Sequence, residues 1–276
     1  MIAFVGSVFS PYYAWSGWDD PFDHCALNVA IYGAGGGRWS MTERRRDALR
    51  REQAQISIGP SSLTWDADTL TARFDEVTAP LPSRIRGTVR LRPQALVGQT
   101  FALDANARHT WRPIAPRARV EVTLEQPDRK WCGDAYFDTN TGDAPLESEF
   151  AFWDWSRAQT QRDTLIFYDV QRAAGDTASV ALSIDGRGEM TTIQPPPRRR
   201  LPSTFWRMPR TLRSDAFDRP RVRRTLEDTP FYTRSLVHGR YGGEPAQIVH
   251  ESLSLDRLRL PIVRAMLPFR MPRVFW

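Results

Sequence analysis

The chain has 276 residues, 41% of them apolar, including 10 Trp and 14 Phe; that is enough to bury a sizeable core and too hydrophobic for a disordered chain. No run approaches the ~20 apolar residues that span a bilayer, and two cysteines, Cys25 and Cys132, make neither a disulfide framework nor a zinc site. The net charge of +6 hides an asymmetry, because Pro195–Trp276 holds 17 Arg against 7 Asp and Glu. Lys130 is the only lysine, so arginine is a bias of the whole chain and no nucleic-acid partner is read from it.

In chain order, Met1 to Phe9 is apolar but lacks a preceding basic residue and a small-residue cleavage site, so it reads as a first strand and not a signal peptide. Two unpaired-looking cysteines suit a reduced, cytoplasmic setting. The dominant hydrophobic period is two. Leu27, Val29 and Ile31 alternate with smaller or polar neighbours, as do Leu70, Ala72 and Phe74, then Val120, Val122 and Leu124, then Val180, Leu182 and Ile184. Each is the pattern of a half-buried antiparallel strand. Turn residues separate them at Gly33–Gly37, Asp66–Asp68, Asn140–Gly142, Gly175-Asp176 and Asp185-Gly186. The glycine-rich turn lacks the Lys-Ser/Thr of a phosphate loop and reads as a hairpin.

Met41–Gln55 is charged nearly all round, which fits a short surface helix or a charged hairpin linking two strands. Pro195–Arg200 cannot lie inside a sheet and reads as an exposed connection. The fold class is therefore all-β, of the barrel or sandwich kind. A boundary near Asp104–Arg108 divides it into two β units, 1–106 and 107–276.

The most informative stretch is Lys130-Trp-Cys-Gly-Asp-Ala-Tyr-Phe-Asp-Thr-Asn-Thr-Gly142. As a strand it puts Cys132, Asp134, Tyr136 and Asp138 on one face and Trp131, Ala135 and Phe137 on the other. Two readings stand side by side. Either Asp138 opens a turn at the water-facing end, or this face lines a cleft where an Asp and a Tyr among Trp residues have a perturbed environment. His109 and Trp111 likewise share a face. None of the four histidines has metal-ligand spacing with another, so no metal site is expected. The aromatic run Phe150–Ser156, with Tyr168, suits core, a barrel rim or the wall of a long apolar ligand's site. The C-terminal run from His250 mixes Leu, Phe and Trp with Arg, and Pro261, Pro268 and Pro272 prevent one long helix. It reads as a last strand and packed tail, or as an interfacial segment on anionic lipid.

Long strings carry a resemblance beyond these patterns: Phe4–Trp15, Asp23–Tyr32, Arg38–Arg44, His109–Trp111, Gly133–Gly142, Phe152–Ser156, His250–Arg257 and Met266–Arg273. In these the chain resembles the carotenoid 1,2-hydratases, also called hydroxyneurosporene synthases. The resemblance implies two lipocalin-like antiparallel β-barrel domains in tandem. It implies a lyase that uses no cofactor and adds water to the terminal 1,2 double bond of acyclic carotenes such as neurosporene and lycopene. It further implies Asp138 as the acid, with Tyr136, His109 and Trp111 around it. Together with the basic C-terminal third, it leads to the expectation of peripheral attachment to an anionic membrane surface, on the cytoplasmic side of the inner membrane. A non-catalytic lipocalin-like carrier is the competing reading; the Tyr136/Asp138 pair is what a carrier has no use for.

Overall fold

The computed structural model describes residues 1–33 and 37–274. Among the described residues, twenty strands account for more than half. The first eight are β1 (Ile2–Val5), β2 (Cys25–Ile31), β3 (Arg38–Arg44), β4 (Leu49–Arg51), β5 (Gln55–Ile58), β6 (Ser61–Asp66), β7 (Thr69–Val77) and β8 (Arg84–Pro93). Then come β9 (Phe101–Ala102), β10 (His109–Gln126), β11 (Arg129–Gly142), β12 (Phe150–Gln159), β13 (Thr164–Arg172) and β14 (Thr177–Ile184). The last six are β15 (Met190–Thr192), β16 (Arg198–Arg200), β17 (Thr211–Arg213), β18 (Arg221–Asp228), β19 (Tyr232–Tyr241) and β20 (Glu244–Ser254). Helices are short: α1 (Pro11–Trp15), α2 (Leu146–Glu149), α3 (Leu255–Leu258) and α4 (Pro261–Met266).

The chain packs as two units. Unit 1 comprises Met1–Pro93, Ala118–Ala135 and Arg264–Trp276; unit 2 comprises Gln94–Arg117 and Tyr136–Val263. The chain passes from one to the other inside β10 and inside β11, and residue 106 lies within the first segment of unit 2.

Antiparallel pairing dominates, with strand orders β1-β2-β3, β11-β10-β8-β7-β6-β5-β4, β15-β14-β13-β12-β20-β19-β18 and β16-β17. Among the described residues no strand path returns on itself, so neither large sheet is a hydrogen-bonded closed barrel. Three of the four outer strands of these two sheets are poor pairing partners. β4 reads Leu-Arg-Arg, β15 has only three residues, and β18 carries Arg221, Arg223 and Arg224 with two register shifts against β19. Short, charged and irregular edges resist further pairing.

Each period-two segment of the sequence is a strand. In unit 1, Leu27, Val29 and Ile31 of β2 pack with Phe74, Ile85, Val122 and Leu124. The 41–55 segment is no helix: β3 ends at Arg44, a 3-10 turn covers Arg46–Ala48, and β4 follows. With Met41 taken up in β3, Leu49 is the one large apolar residue left in the segment and cannot supply the apolar stripe of a helix. Asn140–Gly142, expected as a turn, is the end of β11, so Asp138 lies inside a strand. Pro195–Pro197 precede Arg198–Arg200, which form one half of a two-stranded ribbon with β17. The Gly33–Gly37 hairpin falls on residues 34–36, outside the described residues. Cys25 is buried, Cys132 is exposed, and both are free thiols.

One glycine decides how closely β8 and β10 approach. A Cβ on Gly87 would stand 2.5 Å from the Thr123 carbonyl oxygen and 2.9 Å from the Leu124 Cα, so the two backbones must part to admit it. Gly133 has nothing within 4 Å. Gly87→Ala is expected to destabilise the protein by about 2 kcal/mol through overpacking, and Gly133→Ala to leave it unchanged. Thermal melting followed by circular dichroism checks this: equal melting temperatures would show that the close approach is not needed.

Candidate functional site

The start of β10 is fixed by Asp104. Its Oδ1 accepts the backbone N–H groups of Asn106 (2.9 Å) and Arg108 (3.2 Å), and its Oδ2 accepts that of His109 (2.6 Å). Burial alone pushes this carboxyl up, but the three backbone donors outweigh it and hold its pKa below the usual value. Two residues on, Trp111 is wholly buried, its ring 5.7 Å from Phe101. From β11, Tyr136 and Asp138 project on the same face, as residues two apart in a strand must.

These elements converge on one oxygen. The Trp111 Nε1–H donates to Asp138 Oδ2 at 2.8 Å, and the Tyr136 hydroxyl donates to the same Oδ2 at 3.0 Å. With Oδ2 taken by two donors, Oδ1 is the oxygen left for a proton. Burial raises the Asp138 pKa most; the hydrogen bonds from Trp111 and Tyr136 lower it; the Glu251 carboxylate raises it and Arg234 lowers it. The result is a value of about 6. The same surroundings push the Tyr136 and Tyr168 hydroxyls well above their ordinary range, chiefly by burial and then by the nearby Asp138 charge. Tyr136 is therefore a donor and not a base.

The wall facing this acid comes from register. Trp155 of β12 lies opposite Tyr168 of β13 on one side and Glu251 of β20 on the other, and Glu251 lies opposite Arg234 of β19. Cross-strand partners share a face, so one row crosses four strands. Ring contacts tie it to the acid: Tyr136 to Trp155 at 5.4 Å and Trp111 to Tyr168 at 5.7 Å. Arg157 sits over the Tyr136 ring at 5.3 Å, and Arg234 Nε bonds Glu251 Oε1 at 2.8 Å. Trp153, Trp155 and Arg157 keep partial exposure while Asp154, Ser156 and Ala158 between them are buried. Asp138 and Tyr136 are likewise only partly exposed. Partly exposed side chains walled by aromatic rings form a recess on this face of the sheet.

The opposite face of the same sheet is dry and polar-locked. Asp154 accepts from Ser252 Oγ and Thr211 Oγ1, both at 2.6 Å, and His250 Nε2–H donates to the Thr211 carbonyl at 2.8 Å. Asp169 is held by two bonds from Arg213 and one from Arg198. Thus in Trp153-Asp-Trp155 the two rings wall the recess and the carboxylate anchors the covering segment. In His250-Glu-Ser252, only Glu251 faces the acid.

Of the four residues singled out in the sequence, the structure brings Trp111, Tyr136 and Asp138 together. His109 makes its bonds elsewhere: its Nε2–H donates to the Ala144 carbonyl at 2.9 Å and its Nδ1 faces Asp104 at 3.4 Å. Its ring meets Phe150 edge-on at 5.2 Å, and Phe150 meets Trp153. A register shift between Phe150 and Phe152 allows this, since residues three apart in a regular strand would point to opposite faces. Gly142 leaves room for the imidazole, because a Cβ there would come within 2.5 Å of it. The sequence reading missed Arg157, Arg234 and Glu251. The alternation of Phe150–Ser156 carried the signal for Arg157; pairing of β19, β20 and β12 carried that for the other two, and long-range pairing is not written locally. Among the described residues no set of three or more His, Cys, Asp or Glu side chains is placed to hold a metal ion.

The chain is 55% identical to an acyclic carotenoid 1,2-hydratase of Thiocapsa roseopersicina, over 99% of this chain and 69% of that protein. It is 47% identical to an acyclic carotenoid 1,2-hydratase of Rubrivivax gelatinosus, over 99% of this chain and 68% of that protein. Its fold is similar to that of a putative AttH from Nitrosomonas europaea, with a TM-score of 0.62 at 15% identity, covering 84% of this chain and 80% of that one. The family profile of carotenoid hydratase CrtC matches residues 1–275, and the chain belongs to that family.

Proposed function

We propose that this carotenoid 1,2-hydratase, a hydro-lyase, adds water across the terminal 1,2 double bond of acyclic carotenes such as neurosporene and lycopene, with Asp138 as its acid. The observation that carries the reading is the Asp138 carboxyl itself: desolvated among aromatic rings, with two donors on one oxygen and the other oxygen left for the proton.

An isolated alkene is a weak base, so the acid must arrive neutral and close. Protonation by Oδ1–H at C2 leaves a tertiary cation at C1. The ring faces of Trp111, Tyr136 and Trp155 stabilise such a charge. The carboxylate formed on Asp138 is at once stabilised by the same two donors, whose bonds strengthen when their acceptor becomes ionised. Water then captures C1, and loss of one proton from the oxonium leaves the tertiary alcohol. That proton restores Asp138, so alkene, water and carboxyl balance without a further reagent. His109 is a positioning residue in this scheme. It fastens the start of β10, two residues before Trp111, and braces the Phe150–Trp153 wall. An apolar chain entering the recess displaces water from Asp138 and raises its pKa further, which favours the acid form when substrate is present. The same reading takes the enzyme to act peripherally at an anionic membrane surface, on the cytoplasmic side of the inner membrane, where a water-insoluble carotene is held.

Asp138→Asn keeps size and hydrogen-bond acceptance but has no acidic proton. It is expected to lower product formation by at least about 100-fold, the range for general acid catalysis, with an unchanged melting curve. Pigment analysis of lycopene-accumulating bacteria expressing the variant checks this, and near-normal 1-hydroxy product would remove Asp138 from the role.

The pH dependence has a defined sign. The active form is the protonated acid, so kcat/KM should be level below about 6 and fall roughly tenfold per pH unit above it. Glu251→Gln removes a like charge and should move that limb to lower pH; Arg234→Gln removes an opposite charge and should move it to higher pH. Shifts in the same direction would show that neither charge acts on Asp138.

A further inference from the structure

Unit 2 holds two aromatic rings out in water on a tightly built loop. Phe205 is 86% exposed and Trp206 40% exposed, and their rings meet edge-on at 5.6 Å. The loop around them is not loose. The Phe205 N–H donates to Asp228 Oδ2 at 2.9 Å, the Arg207 N–H to the Thr204 carbonyl at 3.0 Å, and the Met208 N–H to Thr204 Oγ1 at 3.2 Å. Met208, next in the chain, is fully buried as the loop's inward anchor. Arg257 of α3 then donates to the carbonyls of Trp206, Pro230 and Arg207 at 2.9 to 3.2 Å. So many bonds fix the backbone that the outward rings are a built feature.

The same arginine ties the loop to a second apolar group. The Leu260 N–H donates to the Arg257 carbonyl at 3.2 Å, and Leu260 and Ile262 are 46% and 69% exposed. Flanking them are the exposed side chains of Arg207 and of Arg259, the latter ion-paired with Asp256 at 2.8 Å. Large apolar side chains exposed on segments tied together in this way mark an interaction surface. Aromatic and aliphatic residues beside arginine match the headgroup zone of a bilayer, where rings sit at the glycerol level and guanidinium groups meet phosphate. The 17 Arg against 7 acidic residues of Pro195–Trp276 give that region the charge an anionic surface attracts.

We propose that Phe205, Trp206, Leu260 and Ile262 are the surface by which the enzyme seats on an anionic lipid bilayer, with Arg207 and Arg259 at the lipid phosphates. The proposal rests on the reading that the substrate is a membrane-held carotene, and it names the part of the chain that reaches it. None of these six residues belongs to the Asp138 recess.

The test uses the full chain and protein-free phosphatidylcholine vesicles with and without phosphatidylglycerol. The wild type should float with the phosphatidylglycerol vesicles and bind the neutral ones more weakly. Phe205→Ala/Trp206→Ala should weaken that binding by about tenfold or more, since each ring removed from lipid is a large apolar loss; Ile262→Ala should weaken it by a smaller factor. Both variants should keep the wild-type melting temperature and hydrate lycopene dispersed in detergent at the wild-type rate. A double variant that floats like the wild type overturns the proposal, as does a wild type that binds neither vesicle, which would point to a protein partner for this surface. Equal wild-type binding to both vesicle types overturns its anionic part. Hydration of detergent-dispersed lycopene without vesicle binding refutes the surface and spares the Asp138 reading; vesicle binding without any hydration does the reverse.

Discussion

The bond pair from Trp111 and Tyr136 to a single oxygen of Asp138 reconciles two opposed demands. For the acid role proposed for it, the carboxyl must be neutral before reaction, which requires poor solvation, and tolerable as an anion after proton transfer, which requires donors. Lifting the pKa from its ordinary 3.8 to about 6 corresponds to roughly 3 kcal/mol against the ionised form. A hydrogen bond to a charged group returns roughly 1.5–3 kcal/mol; the two donors already act within that value, so burial without them would carry the carboxyl higher still. A dry recess without the donors would hold the proton too tightly to give it up. Donors without the dry recess would leave Asp138 ionised at every useful pH.

That balance depends on strand register. In unit 2 the seven-stranded sheet carries the aromatic recess on one face and the buried network of Asp154, Asp169, His250 and Ser252 on the other. A slip of one residue in β12 would exchange Trp155 for Asp154 and turn both faces inside out. The buried network makes that slip costly, because Asp154 has two short partners from β17 and β20, and Phe167, Val237 and Ile248 fill the core beside it. The site is precise because the opposite face is locked, and residues with no contact to Asp138 hold its surroundings.

Much of this was legible in the chain. Period-two alternation marks the strands, and the spacing of Tyr136 and Asp138 puts both on one face. Asn140-Thr-Gly142 misled because turn-forming residues are a local preference, and continued pairing with a long neighbour overrides such preferences. His109 and Trp111 share a strand face, yet one fixes a loop and the other touches the acid; spacing fixes direction, not partner. Glu251 and Arg234 were invisible because their proximity to Asp138 arises from pairing among strands far apart in sequence. The closed barrels implied by family resemblance did not follow from the pattern either. Alternation is the same in an open and a closed sheet, so it does not decide between them.

The arginine excess also has two roles that composition merges. Arg213 is engaged by Asp169, Arg234 by Glu251, Arg210 by the Pro202 carbonyl and Ser235, and Arg257 by three carbonyls. These guanidinium groups act as internal clamps, where the planar five-donor fork spans several acceptors as a lysine cannot. The formal charge of the C-terminal third therefore overstates what a distant anionic surface feels, since part of it is already neutralised or turned inward. For such a surface, charge governs approach and lipid preference, and it is screened within about 10 Å at ordinary ionic strength. Affinity must then rest largely on apolar side chains, and the one loop in unit 2 built to hold two aromatic rings outward is itself fastened by an internal arginine, Arg257.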